Sequence, residues 1–341
     1  MKAVVFHQHG PVDVLQYQDV SDPVPGKDGI IVDVDYCGVN HLDIWTRQGI
    51  TGKKIRLPHI CGCDIVGTVS KSAAGFEAGE PVMVYPGISC HQCSHCKSGR
   101  ENLCSKFAIL GGLSDYDGGY AQHVAVPAAN LIRLSGLESK TAATLAVSYL
   151  TSWNMLRTNG AGKGRSLLVY GAASGVGMAT IQLARALGMS VITTAAGSQK
   201  TEFGRKLGAY HVIDRLQTRD IAGEVMKLTE NRGVDIVIDH VGAATWQTSI
   251  ASVRTGGRMA VCGMTSGNEA TVPVRMFYSK QITMTGALLG SKLQLLELVD
   301  FVKANKIQPV IDSIYALKEA KEAQTRMEQD LHAGKILLKC S

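Results

Sequence analysis

Along the middle of the chain, short apolar runs rich in β-branched residues alternate with polar turns. They are Leu167-Leu168-Val169-Tyr170, Val191-Ile192-Thr193-Thr194, Val212-Ile213, Asp235-Ile236-Val237-Ile238 and Met259-Ala260-Val261-Cys262. Runs this short, bounded by Gly and polar residues, predict buried strands. Between the first two, Met178 to Leu187 places apolar residues at helical spacing, and Gly188 supplies the stop expected just past a helix end. Strands recurring roughly every 20 to 25 residues with helices between them call for right-handed crossovers and a parallel, doubly wound sheet. That domain is expected over 150–290. The segment before it, 1–149, is rich in Gly and Pro and carries strand-like pieces such as Ile30-Ile31-Val32-Asp33-Val34 and Val66-Gly67-Thr68-Val69. It reads as a mainly β domain. In the tail, 291–341, helices are expected at about Lys292 to Ala304 and Leu317 to Gln329. A closing strand at Ile336-Leu337-Leu338 should return to the first domain, which makes the doubly wound domain an insertion.

A length of 341 residues suits two domains with full cores. Apolar residues make up 45% and charged residues 19%, yet no run approaches the ~18 apolar residues of a spanning helix, so no membrane partner is expected. Met1-Lys2-Ala3-Val4-Val5-Phe6-His7-Gln8 turns polar too soon for a secretory segment, and a cytoplasmic location is expected. The net charge of +6 is a weak bias toward anionic ligands. No basic block is interleaved with aromatics, so nucleic acid is not an expected partner.

Cys90-His91-Gln92-Cys93-Ser94-His95-Cys96 followed by Cys104 spaces four thiols as C-x2-C-x2-C-x7-C. Cys90, Cys93, Cys96 and Cys104 can satisfy tetrahedral zinc and leave no position open, the pattern of a structural site in a lobe at about 88–106. An iron–sulfur run would want a shorter last gap and a following Pro, where this chain has Ser105. His91 and His95 are expected to face solvent on a loop.

Gly171-Ala172-Ala173-Ser174-Gly175-Val176-Gly177 follows the first strand of the parallel unit and opens its helix. Glycines there let the backbone turn and approach a pyrophosphate, whose charge meets the positive end of the helix. Ser174, Gly175, Val176 and Gly177 are therefore candidate dinucleotide contacts, with Val241 and Gly263 past the later strands. About 20 residues on, where an acid would hold a free ribose diol, the chain reads Thr194-Ala195-Ala196-Gly197-Ser198-Gln199-Lys200. Gly197, Ser198 and Lys200 could instead take a 2′-phosphate, so NADPH is expected over NADH.

This combination resembles the medium-chain dehydrogenase/reductase superfamily over essentially the whole chain. The lobe is similar to that of the zinc alcohol dehydrogenases, whereas Cys37-Gly38-Val39-Asn40-His41-Leu42-Asp43 and the Ala172 to Gly177 loop look more like the quinone oxidoreductase and enoyl reductase branch. The resemblance implies an α/β chain in which a Rossmann-type sheet is inserted into a mainly β, GroES-like catalytic domain. It also implies a homodimer or homotetramer, paired through the apolar strand Gln281 to Leu289. Where the alcohol dehydrogenases hold a catalytic zinc, the matching positions here are Asn40, Cys63, Asp64 and Val147, and their proton-relaying hydroxyl falls at Leu42. Without a Lewis acid, an unactivated ketone is a hard acceptor. A conjugated C=C accepts hydride at its β carbon and spreads the charge into an enolate. The expected substrate is therefore a small molecule with an activated double bond: an enoyl-CoA such as acryloyl-CoA, an alkenal or a quinone. Asn40 is the candidate donor or orienter, Asp43 a brace for its loop, and His41 and Thr51 are candidates for the open role of proton donor. Two alternatives stand: an alcohol dehydrogenase with an unusual zinc on Cys63, Asp64 and His59 or Cys37, and a non-enzymatic NADPH-binding structural protein.

Overall fold

The computed structural model describes residues 1–341, which divide into two compact units, Met1–Leu150 with Ser291–Ser341, and Thr151–Gly290. The second holds six strands, all parallel, in the order His211–Asp214, Ser190–Ala195, Ser166–Val169, Val234–Asp239, Val253–Val261, Thr283–Gly286. Chain order reverses direction between Ser166–Val169 and Val234–Asp239, and the carboxyl ends at such a switch point are the usual ligand position in sheets of this kind. The helix Gly175–Ala186 crosses from the first of these strands to its neighbour. Leu168, Ile192, Ile213, Val237 and Met259 share one apolar cluster in this unit.

The edge strand is shorter than its apolar run predicts. Gln281 (φ +53) and Leu289 (φ +60) sit in the left-handed region, which ends extended pairing on both sides of Thr283–Gly286.

The first unit is built on a seven-stranded sheet. Its path runs Leu131–Arg133, Pro81–Val84, Asp64–Val69, Gly29–Gly38, Lys335–Lys339, Ile311–Ala316, and His123–Pro127 pairs beside the first half of Gly29–Gly38. The closing strand pairs antiparallel with Gly29–Gly38, placing Leu337 opposite Gly38 and Leu338 opposite Cys37. This return brings Lys335 to the end of the strand from which Asn40 follows. The second tail helix begins as a 3-10 turn, Leu317–Glu319, before Ala320–Glu328. No helix is long and apolar enough to cross a membrane.

Candidate functional site

The lobe forms where the short strands Gly87–Ile88 and Ala108–Ile109 pair and close off the segment between them. The four sulfurs converge: Cys93 to Cys96 is 3.5 Å, Cys90 to Cys104 is 3.5 Å and Cys90 to Cys96 is 3.8 Å, all six pairs lying within 4.8 Å. Zinc–sulfur bonds of about 2.3 Å give a tetrahedron with edges near 3.8 Å, close to the three shortest sulfur pairs, so the set fits zinc with small adjustments. Backbone N–H groups of Gln92 and Cys93 pull the Cys90 thiol down to about 6, and Lys106 N–H donates to Cys104 Sγ at 3.3 Å. Donors aimed at sulfur favour the thiolate form that binds metal. His91 is exposed as expected, but His95 is half-buried on the short helix Ser94–Lys97 rather than on a loop.

In the second unit, Gly171 turns the chain at φ +62. A Cβ on Gly177 would lie 2.0 Å from the Gly171 carbonyl, so only glycine allows the helix start to approach the strand end. Ser174 caps the helix, its hydroxyl accepting from Gly177 N–H at 3.0 Å and donating to Gly171 O at 2.8 Å. Behind the loop His240, whose Nε2 lies 2.8 Å from Tyr170 O and 3.3 Å from Ser174 Oγ, ties the first and fourth strand ends together. Its neighbour Asp239 accepts the N–H groups of Val241 and Gly242 and orders that turn. Gly197 (φ +78) opens the helix Gly197–Lys206, with Ser198 exposed and Lys200 half-buried in its first turn. Asp214, missed in the sequence because it comes from the third strand, sits opposite Ala195 and accepts from Gly197 N–H at 3.0 Å. This unit carries fifteen Lys and Arg against eight Asp and Glu, so the chain's positive excess resides here, suited to an anionic dinucleotide.

The first unit buries a polar cluster at Asn40. Asn40 precedes the helix His41–Gln48, and its backbone N–H donates to Asp43 Oδ2 at 2.8 Å. The Asn40 side chain turns the other way. Its Nδ2 donates to Asp64 Oδ2 at 3.0 Å and to Gly38 O at 3.2 Å, while its Oδ1 accepts from Lys335 Nζ at 2.7 Å and from Ser148 Oγ at 3.3 Å. Lys335 Nζ also donates to Asp64 Oδ2 at 2.9 Å and to Val39 O at 3.1 Å. A π-helical turn, Leu145–Tyr149, aims Val147 N–H at Asp64 Oδ1, 2.8 Å away. Turns of this type recur at functional sites because they redirect backbone groups that an α-helix would hide.

Two expectations are corrected by this geometry. Asn40 cannot serve as a hydrogen-bond donor to substrate as it stands, because both amide hydrogens are committed; it keeps an orienting place. The alternative zinc on Cys63, Asp64 and His59 or Cys37 has no converging donor set, since the four-cysteine lobe is the one group of three or more His, Cys, Asp or Glu placed to hold a metal. His59 stands edge-on to Phe6 with Nδ1 3.6 Å from Asp117, and burial pushes the Cys37 and Cys63 thiols well above their ordinary range. Thr51 lies on the loop beyond the helix, where its hydroxyl accepts from Lys53 N–H at 3.4 Å. His41 opens the helix with its ring 6.1 Å from that of Trp45 and 6.4 Å from that of His332.

Asp43 braces the loop. It receives Asn40 N–H and Tyr120 Oη on one oxygen, Gly62 N–H and Cys63 Sγ on the other. Burial pushes its carboxyl up to about 7, against the pull of Asn40 N–H, the Lys335 charge and the Tyr120 hydroxyl. The folded value lies above the unfolded one, so the contribution to stability is complete below about pH 4 and is lost as pH rises through about 7. Relative to Asp43→Asn, which does not titrate, the parent's stability should fall by on the order of 2 to 4 kcal/mol between about pH 4 and pH 7.5. Urea midpoints measured for both across that window check this, and parallel profiles would contradict it.

Residues 26–136 match the family described as alcohol dehydrogenase GroES-like domain, and residues 175–304 match the family described as zinc-binding dehydrogenase. An NAD-dependent alcohol dehydrogenase of Sulfolobus acidocaldarius is 30% identical, over 99% of both chains. An acryloyl-coenzyme A reductase of Sulfurisphaera tokodaii is 28% identical, over 99% of this chain and 100% of that one. Among solved structures, an NAD-dependent alcohol dehydrogenase superposes with a TM-score of 0.94 at 35% identity, over the whole of both chains. With this fold, this glycine loop and relatives matched end to end, the chain belongs to the medium-chain dehydrogenase/reductase superfamily, as a zinc-containing alcohol dehydrogenase-like member and an NAD(P)-dependent oxidoreductase.

Proposed function

We propose that the chain transfers hydride from NADPH to an activated C=C, as in an enoyl-CoA such as acryloyl-CoA, an alkenal or a quinone, and holds one structural zinc on Cys90, Cys93, Cys96 and Cys104. The observation that carries this reading is the donor set at the four positions matched to a catalytic zinc. Asn40 offers a carboxamide whose hydrogens are spent, Cys63 a buried thiol, Asp64 a carboxylate already paired with Lys335, and Val147 no side-chain donor. Such a set does not fit a divalent cation, so the acceptor must bring its own activation. A conjugated thioester or carbonyl does so, because the charge that arrives with hydride delocalises to an oxygen that ordinary hydrogen-bond donors can hold. The protein's share is to bind the dinucleotide on the Ser174 to Gly177 loop and to hold the Asn40 loop rigid through Asp43. When bound, NADPH supplies the hydride.

The names of several relatives favour a second reading, an alcohol and aldehyde pair as substrate. NADPH oxidation against enoyl-CoAs, alkenals, quinones and aldehydes separates the two. We expect kcat/KM for the best enoyl-CoA or alkenal to exceed that for any saturated aldehyde by a hundredfold or more, and the reverse order would select the alcohol dehydrogenase. We further propose a homodimer or homotetramer in a cytoplasmic setting, paired through the edge strand Thr283–Gly286, an edge that would otherwise invite aggregation.

A further inference from the structure

We propose that Lys335 is a positioning residue of the reaction centre, an ammonium that neutralises Asp64 and locks the Asn40 carboxamide at the place where related enzymes carry a catalytic cation. This rests on the reductase reading above and extends it to a residue of the closing strand.

Lys335 is 1% exposed and Asp64 is fully buried. An unpaired Lys at such a site would be costly, and its three hydrogens are all spent, on Val39 O, Asn40 Oδ1 and Asp64 Oδ2. Asp64 in turn accepts from Asn40 Nδ2, Val147 N–H and Lys335. The ionisable groups facing this pair are Asp43 at the helix start, Cys37 on the neighbouring strand and Cys63 beside Asp64. Lys335 is the cluster's cation, and its charge balances that of Asp64. Two consequences follow for hydride transfer, which moves negative charge onto the acceptor. Removing the ammonium would leave a bare carboxylate in a low-dielectric interior within hydrogen-bonding reach of Asn40, and that field opposes the charge arriving on the acceptor. It would also remove the shorter of the two donors to Asn40 Oδ1, freeing the carboxamide to turn. No residue of the glycine loop takes part in the hydrogen bonds of this cluster. The loss should therefore appear in kcat and not in dinucleotide affinity.

The experiment uses the zinc-loaded enzyme with NADPH and whichever acceptor the parent reduces fastest. Choice of acceptor decides the reductase reading and is read first; the ratios between variants then decide Lys335 whatever that acceptor is. Lys335→Met should lower kcat tenfold or more while the NADPH dissociation constant, from quenching of Trp fluorescence, stays within twofold. Lys335→Met combined with Asp64→Asn removes both charges while leaving the Asn40 carboxamide unlocked, and should recover part of the loss, with kcat at least threefold above the single variant and within tenfold of the parent. A single variant with parental kcat overturns the proposal, as does a folded double variant as slow as the single one. If Lys335→Met alone does not fold, the double variant decides by the same criterion. Failure of both to fold also counts against the proposal, since the cluster would then be an element of stability and not of turnover.

Discussion

Metal analysis of the purified protein should return one zinc per chain, and Cys93→Ser should lose it. The sulfurs of Cys90, Cys93, Cys96 and Cys104 already stand near the edge lengths of a zinc tetrahedron, and a thiol-to-hydroxyl change removes one of four ligands that a closed site cannot replace. Free energy of binding at such a site is folding free energy for the segment it closes, because the unfolded segment offers no preformed site. In the variant the lobe between Gly87–Ile88 and Ala108–Ile109 should open locally. The apparent Tm should fall by about 5 °C or more, on a scale of 2 to 4 °C per kcal/mol for a domain of this size. Turnover at 25 °C should stay within about threefold, since no lobe residue belongs to the Asn40 cluster. A second zinc in the parent would overturn the account of Asn40, Asp64 and Lys335 together. Loss of kcat in step with loss of zinc would give the lobe a role in turnover that its geometry does not suggest.

What the sequence made legible was whatever local pattern decides. The four-cysteine spacing and the Gly171 to Gly177 loop each lie within one short segment, and both fall where expected because ligand spacing and helix-start chemistry are local properties. The alternating strands and helices of 150–290 were readable for the same reason. The Asn40 cluster was not. Lys335 and Asp64 stand 271 positions apart, and nothing in Gly334-Lys335-Ile336-Leu337-Leu338 says that this lysine is buried until the closing strand is seen beside Gly29–Gly38. That pairing also changed the meaning of Asn40, which reads as a free amide in the motif and proves to have both hydrogens spent on Asp64 and Gly38. Asp214 was hidden in another way. The sequence pattern for a ribose-binding acid points to the end of the second strand, whereas the carboxylate that orders Gly197 N–H comes from the third.

Asp214 sharpens the last expected result, preference for NADPH over NADH with dependence on Lys200. Ala195 ends the second strand and Ala196 caps the next helix, so neither offers a carboxylate to a free ribose diol. Ser198 and Lys200 follow in the first helical turn, where N–H groups and the helix dipole add to attraction for phosphate. Asp214 is the counterweight. Its Oδ1 is occupied by the N–H groups of Gly197 and Leu216, which partly satisfy its charge and make it first a support for the loop. A charge-assisted contact is worth about 1.5 to 3 kcal/mol, so Lys200→Ala should lower kcat/KM for NADPH roughly tenfold or more and leave NADH nearly unchanged. The comparison needs both cofactors, the parent and the variant under one salt concentration, because screening weakens an exposed phosphate contact. If the parent instead prefers NADH, as the names of several relatives suggest for those proteins, Asp214 becomes the acid that receives the ribose, and Asp214→Asn should then erase the preference. Equal loss of both cofactors in Lys200→Ala would mean that Lys200 supports the helix start and reads no phosphate.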